Sequence, residues 1–367
     1  MSTAVTAVGP VLVDRLWDAV LAGDEHGAAA TLFAALGDGV PAEAVLLELI
    51  APVQHRIGAE WAANRITVAQ EHAATAINDR ALAALSLHRA AADDDRTGAP
   101  ARGRVLVACV DEEWHCLPAR LVAEVLKLRG WTVDYLGAQV PTPHLINHIH
   151  QTGPDIVALS GSLATRLPLA HAAITAVQAT GTPVLVGGAA FGAHGEYARL
   201  LGADAWAPDA ATAADDLAQA PPARPGPAHQ PIDDLPHLAD QEYTMVTRTS
   251  TALVRTVMDT LADRFPAMRA YSAAQRARTA EDIAHIVDFL AVALYTDDDA
   301  VFSRFLTWTA GILTTRGVPA HSLVPALRIL GEELKDFDRA SRILRRALGH
   351  LSPAAEPAAA PDPRTPA

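Results

Sequence analysis

The spacing of apolar residues changes twice along the chain. Residues 10–90 place apolar side chains three and four positions apart, a period typical of amphipathic helices. Residues 104–217 alternate short apolar runs with helical stretches, and residues 237–350 return to the helical period. The sequence therefore predicts a multi-domain α and α/β protein, in which an α/β domain lies between two helical modules.

The N-terminal module, residues 1–92, is predicted to be a four-helix bundle. Gly23 interrupts the helical pattern. Thr67 and Gln70 have the spacing of a capping box, in which each side chain satisfies the other residue's backbone amide. A new helix is therefore expected to begin at about Val68.

The central module, residues 103–217, is predicted to be a flavodoxin-like domain with a parallel sheet. Its apolar run from Val105 to Val110 is bounded by charged residues, as in a buried strand. Strands alternate with helices, which favours parallel strands joined by right-handed crossovers. The expected strands are 104–110, 131–136, 155–160, 183–187 and 204–207, and the expected helices are 117–129, 143–151, 168–179, 195–201 and 210–217.

The segments between and after these modules differ in composition. Residues 91–102 are polar and residues 218–236 are rich in proline, so both are expected to be linkers. The third module, residues 237–350, is expected to be entirely helical. Residues 351–367 consist mainly of alanine and proline and are expected to be disordered.

Composition and charge narrow the range of functions. The chain has 367 residues and a formal net charge of −13, which argues against a nucleic-acid-binding surface. It has no apolar run of about 18 residues, and its first residues lack the pattern of a signal peptide, so a cytoplasmic protein without a membrane span is expected. Cys109 and Cys116 are the two cysteines, and no disulfide framework is expected.

The candidate chemistry lies in the loop after the first strand, which contains Asp111, Glu113 and His115. This loop is at the carboxyl end of a central strand, where open α/β sheets bind their ligands. Glu113 can hold one imidazole nitrogen of His115 and leave the other nitrogen free for a metal. The alternative interpretation is a loop histidine that pairs with an acid and binds nothing.

The pattern Glu113-x-His115-x-x-Pro118 resembles the Asp/Glu-x-His-x-x-Gly signature of cobalamin-binding domains. In that family the loop histidine binds cobalt from below, so the resemblance implies that His115 is the cobalt ligand. It also places Asp111 and Glu113 beside the cofactor. Pro118 stands where the family usually has glycine, which leaves less room for the corrin or its tail.

Three further loops resemble the same family. The hydroxyls after the third strand would bond the nucleotide tail of the cofactor, and the glycine pair after the fourth strand would leave a slot for it. The matching residues are Gly137, Val140 and Pro141 after the second strand, Ser160, Ser162 and Leu163 after the third, and Gly187 and Gly188 after the fourth.

Trp61, followed after nine residues by Glu71 and His72, resembles the cap motif of the CarH type of cobalamin-dependent photoreceptor. In that family the helical bundle covers the upper face of adenosylcobalamin. The resemblance implies that Trp61 packs on the adenosyl group and that Glu71 and His72 contact it through hydrogen bonds. Ala62 stands where the family has a histidine that takes cobalt after illumination, so that ligand exchange is not expected here.

The C-terminal module resembles the globin-like sensor domains related to phycobiliproteins, and its position after a cobalamin domain is that of the photocobilins. The resemblance implies a bilin such as biliverdin. Arg276 and Arg278 are the candidates for its propionates, and Asp282 and His285 are the candidates for its pyrrole nitrogens. The alternative is a solvated helix face on which the arginines pair with nearby acids.

These resemblances imply a light sensor that is not an enzyme. Light would break the cobalt–carbon bond, and the resulting change in conformation or assembly would control a partner protein of unknown identity. A homo-oligomer is expected. Two alternatives stay open: a corrinoid methyl-carrier protein of a methyltransferase system, and a cobalamin-binding transcriptional antirepressor that carries no pigment.

Overall fold

The computed structural model describes residues 7–93, 102–225, 235–264 and 266–351. The chain divides into two compact units, Met1–Pro236 and His237–Ala367. Residues 94–101 and 226–234, within the predicted linkers at 91–102 and 218–236, lie outside the described residues, as does nearly all of the predicted disordered tail at 351–367.

The first unit begins with helices. Asp24 caps the second helix by accepting a hydrogen bond from the Gly27 amide at 2.8 Å. A π-helical segment, Val45–Ile50, ends two residues before Pro52, whose missing amide hydrogen removes one α-helical hydrogen bond. The helices are α1 (Pro10–Ala22), α2 (Glu25–Gly37), α3 (Ala42–Ala44), α4 (Ala51–Ala62) and α5 (Val68–Asp93).

The capping box predicted at the start of α5 is present. The Thr67 amide donates to Gln70 Oε1 at 2.9 Å, and the Gln70 amide donates to Thr67 Oγ1 at 3.2 Å. Helix α5 starts at Val68 as predicted, but it continues to Asp93 and so includes the first residues of the predicted 91–102 linker.

A five-stranded parallel sheet follows in the same unit, with the order β2-β1-β3-β4-β5. This is the flavodoxin-like order that the sequence predicted. The strands are β1 (Arg104–Cys109), β2 (Thr132–Gly137), β3 (Ile156–Ser160), β4 (Val184–Gly187) and β5 (Ala205–Ala207). The helices are α6 (Cys116–Leu128), α7 (Thr142–Thr152), α8 (Leu167–Gln178), α9 (Glu196–Leu200) and α10 (Ala210–Gln219).

The register of the sheet brings two loops together. Strand β1 lies between β2 and β3, and Cys109 at its end pairs with Ser160 at the end of β3. Strand β1 is buried from its second residue onward. The loops that follow β1 and β3 are therefore neighbours at the carboxyl edge of the sheet.

The helices before the sheet share its hydrophobic core, because Leu49, Ile57 and Val107 belong to one buried cluster. Two arginines also bond to these helices: Arg120 lies within α6, and Arg129 follows its last residue. Arg129 donates to both carboxylate oxygens of Glu43 at 2.7 and 2.8 Å, and Arg120 donates to Asp79 at 3.1 Å. These bonds connect the first helices to the first helix of the sheet domain.

The described part of the second unit is helical, as predicted. Buried Glu242 accepts hydrogen bonds from the Arg339 and Ala340 amides at the start of the last helix. The helices are α11 (Glu242–Arg264), α12 (Ala273–Thr296), α13 (Asp299–Thr315), α14 (Val324–Glu333) and α15 (Asp338–Leu351). Across the parts of both units that the structure describes, every helix is too short or too polar to span a membrane.

Candidate functional site

Glu113 and His115 form a hydrogen-bonded pair in the loop between β1 and α6. The ring Nδ1 of His115 lies 2.6 Å from Glu113 Oε1, and the His115 amide donates to the same oxygen at 2.9 Å. The second carboxylate oxygen accepts the amides of Ser162 at 2.7 Å and Leu163 at 3.0 Å. Glu113 thus joins the loop after β1 to the loop after β3.

The Glu113 carboxylate is fully buried and charged. Burial alone would raise its pKa, but the hydrogen bonds from the His115 ring and from the amides of His115, Ser162 and Leu163 outweigh this effect. Together they lower the Glu113 pKa to about 2. A carboxylate that is held in this way fixes the orientation of the histidine ring.

The imidazole of His115 is more than half exposed, with Nδ1 committed to Glu113. The hydrogen bond to Glu113 raises the His115 pKa above its usual 6.5, burial opposes the rise, and the charges of Glu113 and Glu71 add to it. Among the described residues no hydrogen bond uses Nε2, so this nitrogen is the one that could hold a metal.

A cavity of about 490 Å³, within the range typical of small-molecule sites, lies against the start of α6 at Leu117 and Pro118. Glu113 and His115 are not among its lining residues. Its wall is formed by β1, β3, β4, the end of β5, α6, α10, the π-helical segment at Leu47 and α4 at Gln54. Most of the lining is apolar, and buried Ser160 supplies a hydroxyl. The cavity could therefore enclose a flat, mainly apolar group with a few polar atoms.

The two glycines after β4 border this cavity and have little space for a side chain. A Cβ at Gly187 would lie 2.9 Å from the Ala207 carbonyl oxygen. Gly188 has a φ of +96°, and a Cβ there would overlap the Gly161 carbonyl. The glycine pair is needed for close backbone packing here, and it also keeps the wall of the cavity free of side chains.

The structure places Trp61 at the end of α4 and Glu71 and His72 in the first turns of α5. The Trp61 ring is half-buried against the hydrophobic core. Glu71 Oε2 lies 2.5 Å from His72 Nδ1, and Glu71 Oε1 accepts the hydroxyl of Thr75 at 3.0 Å. Both oxygens of Glu71 are therefore fixed by neighbours on its own helix.

The loop after β2 also reaches this edge. Gly137 ends β2 with a φ of +83°, and Pro141 precedes α7. The Gln139 amide, between them, donates to the Glu113 carbonyl at 3.0 Å. Nothing in the sequence pattern identified this contact or the amide bonds of Ser162 and Leu163, because each depends on the adjacency of strands.

Two other predicted residues of this edge are placed differently. The Asp111 carboxylate accepts the Glu112 amide at 2.9 Å, a local bond that shapes the loop. Val140 is half-buried in the loop before α7. Neither residue lines the cavity at the start of α6.

The four residues predicted to hold a bilin lie on α12 in the second unit. Arg276, Arg278, Asp282 and His285 are all exposed. Arg276 donates to the Tyr271 carbonyl at 2.6 Å. The structure thus places these side chains at the surface of their helix, and their predicted role is untested.

Comparison with known proteins gives matches over both parts of the first unit. Residues 103–218 match the protein family described as the B12 binding domain, and residues 12–86 match a second family with the same description. Together the two matches span about half of the chain. They cover the helices and the sheet that carry the site.

Two curated relatives are transcriptional repressors from Myxococcus xanthus. The HTH-type transcriptional repressor CarH is 32% identical over 152 residues, which are 40% of this chain and 48% of that protein. The HTH-type transcriptional repressor CarA is 34% identical over 142 residues, which are 38% and 46%. The chain thus spans about half the length of the curated relatives it matches.

Among solved structures, the monomethylamine corrinoid protein of Methanosarcina barkeri has the same fold in the first unit. It is 20% identical, with a TM-score of 0.50, and the similarity covers 58% of this chain and 99% of that chain. The fold and the family matches make this chain a cobalamin-binding protein. The family matches are to B12 binding domains, and the solved structure shows the same fold.

Proposed function

We propose that this protein is a light sensor that binds adenosylcobalamin and regulates a partner protein. The observation that carries the proposal is the Glu113–His115 pair, which leaves His115 Nε2 without a hydrogen bond among the described residues. The helix that begins directly after His115 lines a cavity of about 490 Å³ through Leu117 and Pro118. A neutral imidazole whose other nitrogen is held by a carboxylate is a good metal ligand.

In this proposal His115 Nε2 would hold the cobalt, and Glu113 would keep the imidazole ring in place. The cavity would take the nucleotide tail of the cofactor, because its lining is mainly apolar and includes the Ser160 hydroxyl. Gly187 and Gly188 border the cavity without side chains, which would leave space for the tail along this part of the wall.

The first helices would form a four-helix bundle over the upper face of the corrin. The half-buried ring of Trp61 offers a flat apolar surface to a purine, and the fixed carboxylate of Glu71 offers acceptors to a ribose. His72 is held against Glu71 and contributes a second polar group. The similarity to CarH supports the choice of the adenosyl form.

When bound, adenosylcobalamin supplies a cobalt–carbon bond that light can break. Trp61 and Glu71 would contact the adenosyl group in the dark and would lose that contact after illumination. Two ion pairs, Arg129 with Glu43 and Arg120 with Asp79, connect the first helices to the sheet domain. A shift of these helices would change the geometry of both pairs. Such an interface can convert a local change into altered assembly or partner binding.

A corrinoid methyl-carrier protein is the second candidate. It is favoured by the fold similarity to a corrinoid protein, which extends over 99% of that chain. A methyl group offers no hydrogen-bonding atoms, so a methyl carrier does not need polar side chains to recognise it. Glu71 is oriented by two hydrogen bonds, which favours the adenosyl form. A pigment-free antirepressor is the remaining alternative for the output.

We also keep the hypothesis that the second unit binds a bilin such as biliverdin. Asp282 and His285 are three residues apart on α12 and share a helix face. Adding biliverdin to the purified protein tests this directly. A red-shifted, saturable absorption band that is lost in Arg276→Ala and His285→Ala variants would support the bilin, and an unchanged biliverdin spectrum would exclude it.

Absorption spectroscopy tests the proposed function. Purified protein is mixed with adenosylcobalamin or methylcobalamin in the dark, and spectra are recorded before and after illumination. We expect preferential binding of the adenosyl form. We also expect that illumination changes the elution volume of the protein in size-exclusion chromatography. Preferential binding of methylcobalamin would favour the carrier, and identical elution in dark and light would contradict a role in light-controlled assembly.

A further inference from the structure

A chain of three hydrogen bonds connects α4 and α5 in the interior of the helices. Asn78 Nδ2 donates to Gln54 Oε1 at 3.1 Å, and Gln54 Nε2 donates to Thr75 Oγ1 at 2.8 Å. Thr75 Oγ1 then donates to Glu71 Oε1 at 3.0 Å. Every donor points along the chain towards the Glu71 carboxylate, so each bond polarises the next and the last bond is charge-assisted.

The two ends of this chain lie in different surroundings. Glu71 is partly exposed, while Asn78 is fully buried and its Oδ1 has no hydrogen-bond partner among the described residues. Gln54, in the middle, also lines the cavity beside β1, β3 and β4. The Gln54 side chain therefore contacts both the cavity and the residue that orients Glu71.

Gln54 has a long, flexible side chain, and holding it in one rotamer costs conformational entropy. The open cavity on one side leaves room for its amide to turn away from Thr75. A group that fills the cavity removes this freedom and keeps the amide in the position that bonds to both Thr75 and Asn78. Filling the cavity would thus lower the entropic cost of orienting the Glu71 carboxylate.

We propose that Gln54 is a positioning residue that couples the cavity to the Glu71 carboxylate, so that a nucleotide tail in the cavity strengthens recognition of the adenosyl group above the corrin. This inference rests on the proposed function. It adds that the two ends of the cofactor are recognised cooperatively, and that the coupling passes through Thr75. Coupling between two sites is reciprocal, so the adenosyl group also strengthens binding of the tail.

Four corrinoids separate the two ends of the ligand: adenosylcobalamin, methylcobalamin, and the corresponding cobinamides, which lack the nucleotide tail. Dissociation constants of the full chain are measured in the dark by calorimetry. We expect the preference for adenosyl over methyl to be at least about fivefold greater among the cobalamins than among the cobinamides.

Two variants interrupt the chain. Gln54→Leu removes both the oxygen and the nitrogen of the side-chain amide, and Thr75→Val replaces the hydroxyl by a methyl group at a position outside the cavity lining. In both variants the adenosyl preference should become equal for cobalamins and cobinamides. Thr31→Val is the matched control, because the Thr31 hydroxyl is also buried but bonds only to the Gly27 carbonyl of its own helix.

Circular dichroism and thermal unfolding of the free variants show whether they are folded. If Gln54→Leu does not fold, since it leaves Asn78 without its partner, Thr75→Val carries the test. Equal preferences in the parent, or an undiminished difference in Thr75→Val, would overturn the coupling while leaving cobalamin binding intact. Failure of all four corrinoids to bind would instead overturn the proposed function.

Discussion

Glu113 accepts four hydrogen bonds on a fully buried carboxylate and ties two loops together. The sequence identified Glu113 and His115 because the two residues form a short local motif after an apolar strand. It could not identify the amide donors of Ser162 and Leu163, which lie about fifty residues further along the chain and become neighbours only through the pairing of β1 with β3. Glu113 is therefore a structural residue as well as a partner of His115.

Replacing Glu113 by glutamine should destabilise the protein by about 2 kcal/mol, because a glutamine NH₂ group would face backbone amides that need an acceptor. Urea unfolding measures the change. Glu112→Gln is the matched control, since Glu112 is an exposed neighbour that pairs with Arg166, and it should change stability by no more than about 0.5 kcal/mol. Equal losses in both variants would show that the buried hydrogen bonds contribute little.

The pKa of His115 predicts how cobalamin binding depends on pH. The pKa is raised above 6.5, mainly by the hydrogen bond to Glu113, so below it Nε2 carries a proton and is not available to a metal. Affinity should therefore fall as the pH falls through this raised pKa. Glu113→Gln should move the midpoint to lower pH, and spectrophotometric titration from pH 5.5 to 8.5 measures it. A midpoint that is unchanged in Glu113→Gln would contradict this origin of the shift.

The pKa of Glu113 affects the stability of the fold. This pKa is lowered, whereas the pKa of His115 is raised. The Glu113 pKa is lowered to about 2 from a usual 4.5, so its stabilising contribution is present above pH 4.5 and is lost as the pH falls towards 2. The acid unfolding of the Glu113→Gln variant should accordingly depend less steeply on pH than that of the parent. A parallel pH dependence in the two proteins would contradict the low pKa.

At the scale of helices and strands, the sequence predicted the sheet well. Each strand boundary lies within one residue of its prediction, because short apolar runs between glycines and charged residues leave little freedom. The π-helical segment Val45–Ile50 was not predicted, since it arises from the position of Pro52 within an otherwise regular pattern. The extent of α5 to Asp93 was also missed, because the polar residues there have the composition of a linker.

The capping box at Thr67 should matter for both stability and recognition. Thr67→Ala removes the acceptor of the Gln70 amide and should destabilise the protein by about 1 kcal/mol, whereas Thr67→Ser keeps the hydroxyl and should change little. Thermal unfolding measures both. Because Glu71 follows directly after Gln70, fraying of this turn should also weaken adenosylcobalamin binding. Equal binding of adenosylcobalamin by the alanine and serine variants would show that the capping box does not affect recognition of the cofactor.

At the scale of the whole molecule, the chain consists of two compact units, and the first of them contains the candidate site. The residues that form the candidate site, including His115 and Glu71, belong to Met1–Pro236. The sequence predicted the helical nature of the second unit from its periodicity. It could not establish a ligand there, because four exposed side chains on one helix do not define a pocket.

The first unit should therefore bind cobalamin without the second. A protein truncated after Pro236 is expected to bind adenosylcobalamin with an affinity within about threefold of the full chain, a difference well under the 1.4 kcal/mol that a tenfold change represents. Calorimetry on both proteins measures this. A loss of binding on truncation would show that the second unit contributes to the site.

Electron paramagnetic resonance of the cobalt(II) form tests the central claim, that His115 Nε2 is the lower ligand of cobalt. The protein is prepared with ¹⁵N-labelled histidine and unlabelled cobalamin. A bound ¹⁴N nitrogen splits each cobalt line into a triplet, and a bound ¹⁵N nitrogen splits it into a doublet. We predict doublets for the labelled parent and the loss of these doublets in His115→Ala. Triplets in the labelled parent would show that the nitrogen of the cofactor's own tail still binds cobalt, and this result would contradict the account.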